Sequence, residues 1–348
     1  MVVNSARALA DRYVNFAWYE ARGQSDAHEE LAARIGHDPE FCAHLARCLP
    51  AGEKQRPGLL LAAVRYLDGP YAEHGPRGDA AYRGWREWTL RHWDEVSAVI
   101  TRRRTRTNEP ARCATLLPLF ARLPQPLALL EVGASAGLCL YPDRYRYRYD
   151  ERPEFGPPDS AAVLPCRTGA GTPVPDRVPD IAWRAGIDLS PLDPADPDDV
   201  RWREALVWPD ATDERVRRQR AAGEAVRSAP RPRMMRGDLI DALPALAAEA
   251  PLGATLVVFH TSVMACLPPE RREEFARLVP SVLRERSRLG HGPGHWVSNE
   301  HHSVLPWITT PRLAHPLPTP TTERLLTLAL DGRPVALTGR YGQSVQWL

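Results

Sequence analysis

The sequence lacks the cysteine spacing that builds zinc ribbons or disulfide frameworks. Its six cysteines are scattered, and no two of them form a Cys-x-x-Cys pair. It also lacks any apolar run near the roughly 18 residues that cross a bilayer, and its first residues contain no apolar signal-peptide core. We therefore expect a cytoplasmic protein that has no membrane partner.

An excess of charge of either sign is absent as well. The 45 basic and 43 acidic residues leave a formal net charge of +2, and Lys54 is the only lysine. A balance this mild does not favour nucleic acid as a partner, and charge alone names no other partner. The 348 residues, 43% of them hydrophobic, suffice for one large domain or two, and they do not indicate an oligomeric state.

The first third of the chain has the apolar spacing of amphipathic helices, for example at Leu9, Tyr13 and Phe16. The sequence therefore predicts an N-terminal all-helical domain over residues 1–125, which we interpret as a lid or substrate domain. A second, α/β domain is expected over residues 126–348.

A buried strand and a turn of small residues begin the second domain. Residues 127–132 are mostly apolar, as in a parallel strand covered on both faces, and they include one acid, Glu131. The turn that follows consists of Gly133, Ala134, Ser135, Ala136 and Gly137. Because this turn carries so few side-chain atoms, a ligand can approach its backbone closely. A plain tight strand-to-helix turn is the alternative interpretation.

Further strands alternate with helices along the second domain. They are predicted at residues 181–187, 233–238, 254–259 and 295–298. This alternation predicts a mostly parallel sheet with right-handed crossovers. Residues just beyond the carboxyl ends of such strands converge on one crevice, where the strand order reverses.

A helix that leads into the first strand is expected to start at the same crevice, because it runs antiparallel to that strand. Asn108 and Pro110 suit the start of such a helix. Asn108, Glu109 and Arg112 are therefore candidate substrate-binding residues. Capping together with a surface ion pair is the alternative for these three residues.

The strand, turn and helix start at residues 127–140 resemble the first motif of class I S-adenosyl-L-methionine (SAM) methyltransferases, an acid-x-Gly-x-Gly-x-Gly pattern. Glu131, Gly133 and Gly137 match it, whereas Ser135 replaces the middle glycine. The whole pattern looks like an uncharacterised bacterial family of the DUF2332 type, related to these enzymes. The resemblance implies a Rossmann-like, seven-stranded, mostly parallel sheet with an antiparallel C-terminal hairpin.

The resemblance also implies SAM as the cofactor and assigns residues to it. Glu131 and the turn would contact the methionine part, and Asp188, in the Gly-Ile-Asp-Leu stretch, would bind the ribose hydroxyls, with Asp150 as the competing candidate. Asp238 would contact the adenine amino group, or it caps a helix instead. The complete set of expected cofactor-binding residues is Glu131, Gly133, Ala134, Ser135, Gly137, Asp188, Leu189, Gly237, Asp238, Leu239, His260 and Thr261.

Two segments depart from an alternating strand and helix pattern. Tyrosine and arginine alternate from residue 145 onward, and we interpret residues 145–178 as an inserted β-hairpin. Near the C-terminus, Asp331-Gly332 separates two β-like runs and predicts a second hairpin.

Two residues at strand ends are candidate catalytic groups, and a third is a candidate substrate ligand. His260 has an ordinary pKa near 6.5 and could accept a substrate proton at neutral pH, or it could satisfy backbone groups instead. Glu300 is the second catalytic candidate, and His301 would face the substrate. No metal is expected, because no cysteine or regularly spaced acid completes a ligand set with the nearby histidines.

The leading hypothesis from the sequence is a SAM-dependent methyltransferase that acts on a small molecule. A second hypothesis keeps SAM but changes the bond broken, as in cleavage or cyclisation of its aminocarboxypropyl arm. A third is a binding module without catalytic activity on a methyltransferase fold.

Overall fold

The computed structural model of the protein describes residues 2–70, 77–105, 108–209, 213–310 and 325–348. The chain forms two compact units. A helical unit comprises Met1–Thr107 and Asp196–Arg217, and a sheet unit comprises Asn108–Ala195 and Arg218–Leu348. The helix that leads into the first strand thus belongs to the sheet unit, although the sequence-based domain boundary lies after it, at residue 125.

Eleven α-helices occur in the described ranges. They are α1 (Val2–Phe16), α2 (Asp26–Gly36), α3 (Pro39–Cys48), α4 (Pro57–Tyr66), α5 (Gly78–Arg91), α6 (Trp93–Arg102), α7 (Arg112–Phe120), α8 (Pro197–Ala205), α9 (Asp213–Arg227), α10 (Leu239–Ala248) and α11 (Pro269–Arg288). None of these helices is both long and apolar enough to span a bilayer.

Polar contacts explain why α8, remote in sequence, belongs to the helical unit. Arg103, just after α6, forms ion pairs with Asp198 and Asp199 at the start of α8. The buried Trp202 donates a hydrogen bond from Nε1 to the carbonyl oxygen of Arg104 at 3.1 Å. The first turn of α8 is therefore tied to the segment that follows α6.

Ten strands form one sheet in the described ranges, so the expected count of seven is wrong. They are β1 (Leu127–Val132), β2 (Arg146–Tyr149), β3 (Val163–Thr168), β4 (Ile181–Asp188), β5 (Arg233–Arg236), β6 (Thr255–Thr261), β7 (Gly294–Glu300), β8 (Leu325–Leu330), β9 (Arg333–Gly339) and β10 (Ser344–Trp347). Their order is β2-β3-β10-β9-β8-β7-β6-β1-β4-β5. The expectation of a mixed α/β fold with a large, mostly parallel sheet is confirmed.

Half of the sheet has the order of a doubly wound α/β fold. The strands β5, β4, β1, β6 and β7 are neighbours in that order, and every pair among them is parallel. The chain therefore builds outward from β1 in one direction and then, starting with β6, in the other. The switch point lies between β1 and β6, and their carboxyl ends define the crevice where such folds bind ligands.

Two apolar layers cover the sheet. One face, which includes the buried tyrosines of β2, packs against α7, and the opposite face packs against α10 and α11. All six residues of β1 are buried, as expected for a strand covered on both sides.

The expected hairpin at residues 145–178 is wrong, because β2 and β3 run parallel, with Arg146 beside Val163. A parallel pair needs a connection of about a dozen residues or more, and residues 150–162 provide it. The alternation of side chains along β2 correctly indicates a strand with one buried face, since Tyr147 is buried and Arg148 is exposed. Such alternation does not determine the direction of the neighbouring strand.

The C-terminal strands form an antiparallel meander, in which β7, β8, β9 and β10 follow one another. Asp331 and Gly332, both with positive φ, form the turn between β8 and β9 that the sequence predicts. The next turn, between β9 and β10, lies against the start of α7: a Cβ atom on Gly342 would lie 2.1 Å from the carbonyl oxygen of Ala111.

We predict that Gly342→Ala destabilises the protein more than Gly332→Ala. Both glycines have positive φ, 82° and 79°, but a Cβ at Gly332 meets nothing within 4 Å. The Gly332→Ala variant therefore loses about 1–2 kcal/mol for its backbone conformation alone. Gly342→Ala loses in addition roughly 1–3 kcal/mol, because the new methyl group displaces backbone. Urea unfolding measures both, and equal losses would contradict the close packing at Gly342.

Candidate functional site

The candidate site lies on the α7 face of the sheet, at the carboxyl ends of β1, β4 and β6. It begins with the small-residue turn after β1, in which Gly133, Ser135 and Gly137 all have positive φ. A single 3-10 turn, Leu138–Leu140, follows. Because Ser135 is not a glycine, its left-handed conformation carries strain, which concentrates at functional positions.

The amide groups of this turn are used by the chain itself. Gly133 and Ala134 donate hydrogen bonds to the carbonyl oxygen of Ile187 at 2.8 and 3.1 Å, and Gly137 donates to the carbonyl oxygen of Ala134 at 2.7 Å. A turn that binds pyrophosphate instead aims its amides at the anion. This turn is therefore not built for a phosphate group.

Asp188, at the end of β4, holds the turn in place. Its Oδ2 accepts a hydrogen bond from the Ser135 amide at 2.9 Å, and its Oδ1 accepts one from the Ser190 amide at 2.7 Å. Asp150, the competing candidate, directly follows β2 at the far edge of the sheet, where it accepts hydrogen bonds from Thr168. Of the two acids, Asp188 is the one that lies against the turn.

Glu131 lies beside Asn108 in the interior. Asn108 donates from Nδ2 to Glu131 Oε1 at 3.2 Å and accepts the Leu138 amide on its Oδ1. Helix α7 begins only at Arg112, so Asn108 joins β1 to the turn and does not cap the helix. Among the described residues, none donates a hydrogen bond to Glu131 Oε2, which is buried. Burial is the main reason that the pKa of Glu131 is raised well above its ordinary value.

Arg112 and Glu109, the other expected substrate ligands, are buried as well. Arg112 donates from Nη1 to the carbonyl oxygen and Oγ1 of Thr261, both at 3.1 Å, and from Nε to the carbonyl oxygen of Arg340 at 3.1 Å. Glu109 accepts the Ala111 amide at 3.2 Å and contacts Arg218 at 3.4 Å. These contacts lie in the protein interior, so a surface ion pair does not describe them.

On the opposite face of the sheet, His260 and Glu300 form a buried pair. His260 Nδ1 lies 2.8 Å from Glu300 Oε1, and Trp296 donates from Nε1 to His260 Nε2 at 3.1 Å. The imidazole thus carries its proton on Nδ1 and donates it to Glu300, because Nε2 is already an acceptor. No ring nitrogen of His260 is left for a substrate proton.

The two carboxylate oxygens of Glu300 differ in their hydrogen bonding. Its Oε1 also accepts the amides of Val263 and Met264 at 2.8 and 3.1 Å. Its Oε2 is buried and receives no hydrogen bond from the described part of the chain. In this pair Glu300, rather than His260, presents an acceptor atom.

The remaining expected residues lie around these two centres. Asp238 caps α10 by accepting the Ile240 amide at 2.9 Å and pairs with Arg271 at 2.7 Å, so the capping interpretation describes its contacts. His301 lies in the turn after β7, with Nδ1 2.8 Å from Ser303 Oγ. The other neighbours of Asp188 and Asp238 are Gly237, whose amide donates to the carbonyl oxygen of Asp188, the half-exposed Leu189 and the buried Leu239.

Sequence reasoning missed two polar groups at the same strand ends. Asn299 is fully buried; its Oδ1 accepts a hydrogen bond from Thr338 at 2.8 Å, and its Nδ2 has no partner in the described ranges. Ser262 has positive φ, and its Oγ is likewise without a partner there. The available signal was their position, since Asn299 lies near the carboxyl end of β7 and Ser262 directly follows β6. The described residues contain no cluster of metal-ligating side chains.

We predict that Glu131→Gln makes the protein progressively more stable than the wild type as pH rises. A carboxyl group whose pKa is raised by folding stabilises the native state fully below its unfolded pKa, near 4.3, and this contribution is lost as pH rises toward the folded pKa. Within that window the difference grows by about 1.4 kcal/mol per pH unit. Urea unfolding over a pH series measures it, with Glu273→Gln on the surface of α11 as the control. A difference independent of pH would contradict the buried carboxyl.

Comparison with known proteins gives one match. A family model described as an uncharacterized protein conserved in bacteria (DUF2332) matches residues 10–347. No curated protein and no solved structure matches the chain.

Proposed function

The chain belongs to the bacterial DUF2332 family, and from the geometry of this member we propose that it is a SAM-dependent methyltransferase that acts on a small molecule. The observation that carries the proposal is the unpaired, buried Oε2 of Glu131 beside a turn that Asp188 holds. An unpaired buried carboxylate is costly unless a ligand completes it. The ammonium group of the methionine part of SAM is a ligand of the required charge.

The acidic side chain at the end of β4 suits the binding of a nucleoside. Asp188 ends β4 beside the turn, and its two carboxylate oxygens each accept an amide hydrogen bond. An acid at this position of a nucleotide-binding α/β fold accepts hydrogen bonds from ribose hydroxyls. The occupied amides of the turn support a cofactor without phosphate, which favours SAM over a dinucleotide.

The protein's residues would contribute to the reaction mainly by positioning the acceptor and the cofactor. When bound, SAM supplies an electrophilic methyl group on its sulfonium. Holding an acceptor in line with that group at about 3–3.5 Å removes much of the barrier. An acceptor group that must lose a proton would need a base. Glu300, whose Oε1 is fixed by three hydrogen bonds, lies on the opposite face of the sheet from the turn. His260 orients Glu300 and does not itself take the proton.

We predict that Asp188→Ala weakens S-adenosylhomocysteine binding by about 10- to 100-fold, the usual loss for hydrogen bonds to a charged group. Asp150→Ala is the matched control, because Asp150 also lies at the carboxyl end of a strand and accepts two hydrogen bonds but lies at the far edge of the sheet. Its affinity is expected to equal that of the wild type. Isothermal titration calorimetry measures all three proteins, and thermal unfolding verifies that each is folded.

Two results would contradict the nucleoside site. One is equal binding by the Asp188→Ala and Asp150→Ala variants. The other is no binding of S-adenosylhomocysteine by the wild type, which would favour a binding module without catalytic activity.

We predict that turnover of SAM in the presence of a bacterial small-molecule extract yields S-adenosylhomocysteine. This product marks methyl transfer, whereas methylthioadenosine marks cleavage or cyclisation of the aminocarboxypropyl arm. Mass spectrometry of the reaction distinguishes the two. Methylthioadenosine as the main product would be consistent with SAM as the cofactor but would contradict methyl transfer.

A further inference from the structure

The chain passes between the helical unit and the sheet unit at three connections. They lie between residues 107 and 108, between residues 195 and 196, and between residues 217 and 218. The second connection lies between β4 and α8, and the third lies inside α9, so that one helix belongs to both units. Any motion of one unit against the other therefore acts on the backbone at these three connections.

The first and third connections meet at Asn108, which is part of the candidate site. The side chain of Asn108 donates to Glu131 Oε1 at 3.2 Å and accepts the Leu138 amide. The backbone carbonyl oxygen of Asn108 accepts a hydrogen bond from Gln219 Nε2 at 3.2 Å. Gln219 is buried and lies in α9, directly after Arg218. The segment that holds Glu131 thus also holds α9.

A second polar contact fixes α9 at the same place. Arg218 Nε lies 3.4 Å from Oε1 of the buried Glu109, and the side chain of Arg218 is only 14% exposed. Because α9 is a continuous helix across the boundary, its backbone hydrogen bonds transmit this constraint to its first turn, which belongs to the helical unit.

The second connection is tied to the turn after β1. The loop begins at Asp188, which accepts the Ser190 amide, and the Leu192 amide donates to the carbonyl oxygen of Ser135 at 3.0 Å. Ser135 is therefore bonded through its amide to Asp188 and through its carbonyl oxygen to the loop. On the sheet side, all three connections are bonded to residues of the candidate site.

We propose that the three connections form a hinge that the candidate site controls, so that a ligand at the turn after β1 restricts the motion between the two units. Hinges usually consist of a few residues in loops or at the ends of elements. A ligand shifts such an equilibrium only when its contacts differ between the states. A ligand on Glu131 and Asp188 meets this condition, because both acids are bonded to residues of the hinge. The inference rests on the proposed function for the identity of this ligand.

Double electron-electron resonance tests the hinge, because it gives the distribution of distances between two spin labels, one in each unit. One label is attached to the exposed Cys48 at the end of α3, and the other to Glu273→Cys on the surface of α11. Cys266 is replaced by alanine, and the four remaining cysteines are buried. We expect S-adenosylhomocysteine to narrow the distribution of the labelled protein.

The variant Gln219→Ala removes the hydrogen bond between α9 and Asn108. We expect it to broaden the distance distribution without ligand and to abolish the narrowing by S-adenosylhomocysteine. Because one neutral hydrogen bond is lost, its affinity for S-adenosylhomocysteine is expected to stay within about 10-fold of the wild type. Glu224→Ala is the matched control, since Glu224 is exposed on the same helix and pairs only with Arg227 on its surface. If Gln219→Ala does not fold, Gln219→Met removes the donor and keeps the size.

The outcomes separate the hinge from the proposed function. Equal widths for the wild type and the folded Gln219 variant without ligand overturn the hinge. A wild-type width that does not change although calorimetry shows binding of S-adenosylhomocysteine also overturns it. If the wild type does not bind S-adenosylhomocysteine, the proposed function is overturned, whereas a broader distribution in the Gln219 variant and not in Glu224→Ala still supports the hinge.

Discussion

The candidate site depends on the hydrogen bond from the Ser135 amide to Asp188, which ties the end of β4 to the turn after β1. The strained turn and the acid are far apart in sequence. The parallel pairing of β1 with β4 brings them together, and the amides of Gly133 and Ala134 continue that pairing onto Ile187. The strand order of the sheet and the conformation of the turn therefore depend on each other.

Around this constraint the protein buries charged groups that it does not fully satisfy. Glu131 lies on the α7 face and Glu300 lies on the opposite face, each with a carboxylate oxygen that has no partner in the described ranges. Such groups reduce the stability of the empty protein, since desolvation of a charge is expensive. Groups left this way at the carboxyl ends of neighbouring strands, next to the switch point, are typical of a ligand site. Stability and binding are thus opposed at Glu131.

The sequence predicts those parts of the fold that depend on local chemistry. The apolar run of β1 gives a buried strand, and Asp331-Gly332 gives a tight turn because both residues accept positive φ. The insert is different: its alternation indicates a buried face for β2, but the parallel direction of β3 depends on long-range pairing with β10. No local pattern contains that information.

The same distinction holds within the site. Position after a strand correctly brought Glu131 and Asp188 to one place, because strand ends converge in a parallel sheet. The hydrogen-bond partners of the individual side chains could not be predicted. His260 meets Trp296 and Asp238 meets Arg271 through side chains distant in sequence, and Asn108 bonds Glu131 instead of capping α7.

A crystal structure of the protein soaked with S-adenosylhomocysteine tests the central claim most directly. We predict electron density for the ligand at the carboxyl ends of β1 and β4, with the ribose hydroxyls on Asp188 and the ammonium nitrogen within hydrogen-bond distance of Glu131 Oε2. Density elsewhere, or a structure in which Glu131 Oε2 remains without a partner after soaking at saturating concentration, would contradict the assignment of this crevice to the cofactor.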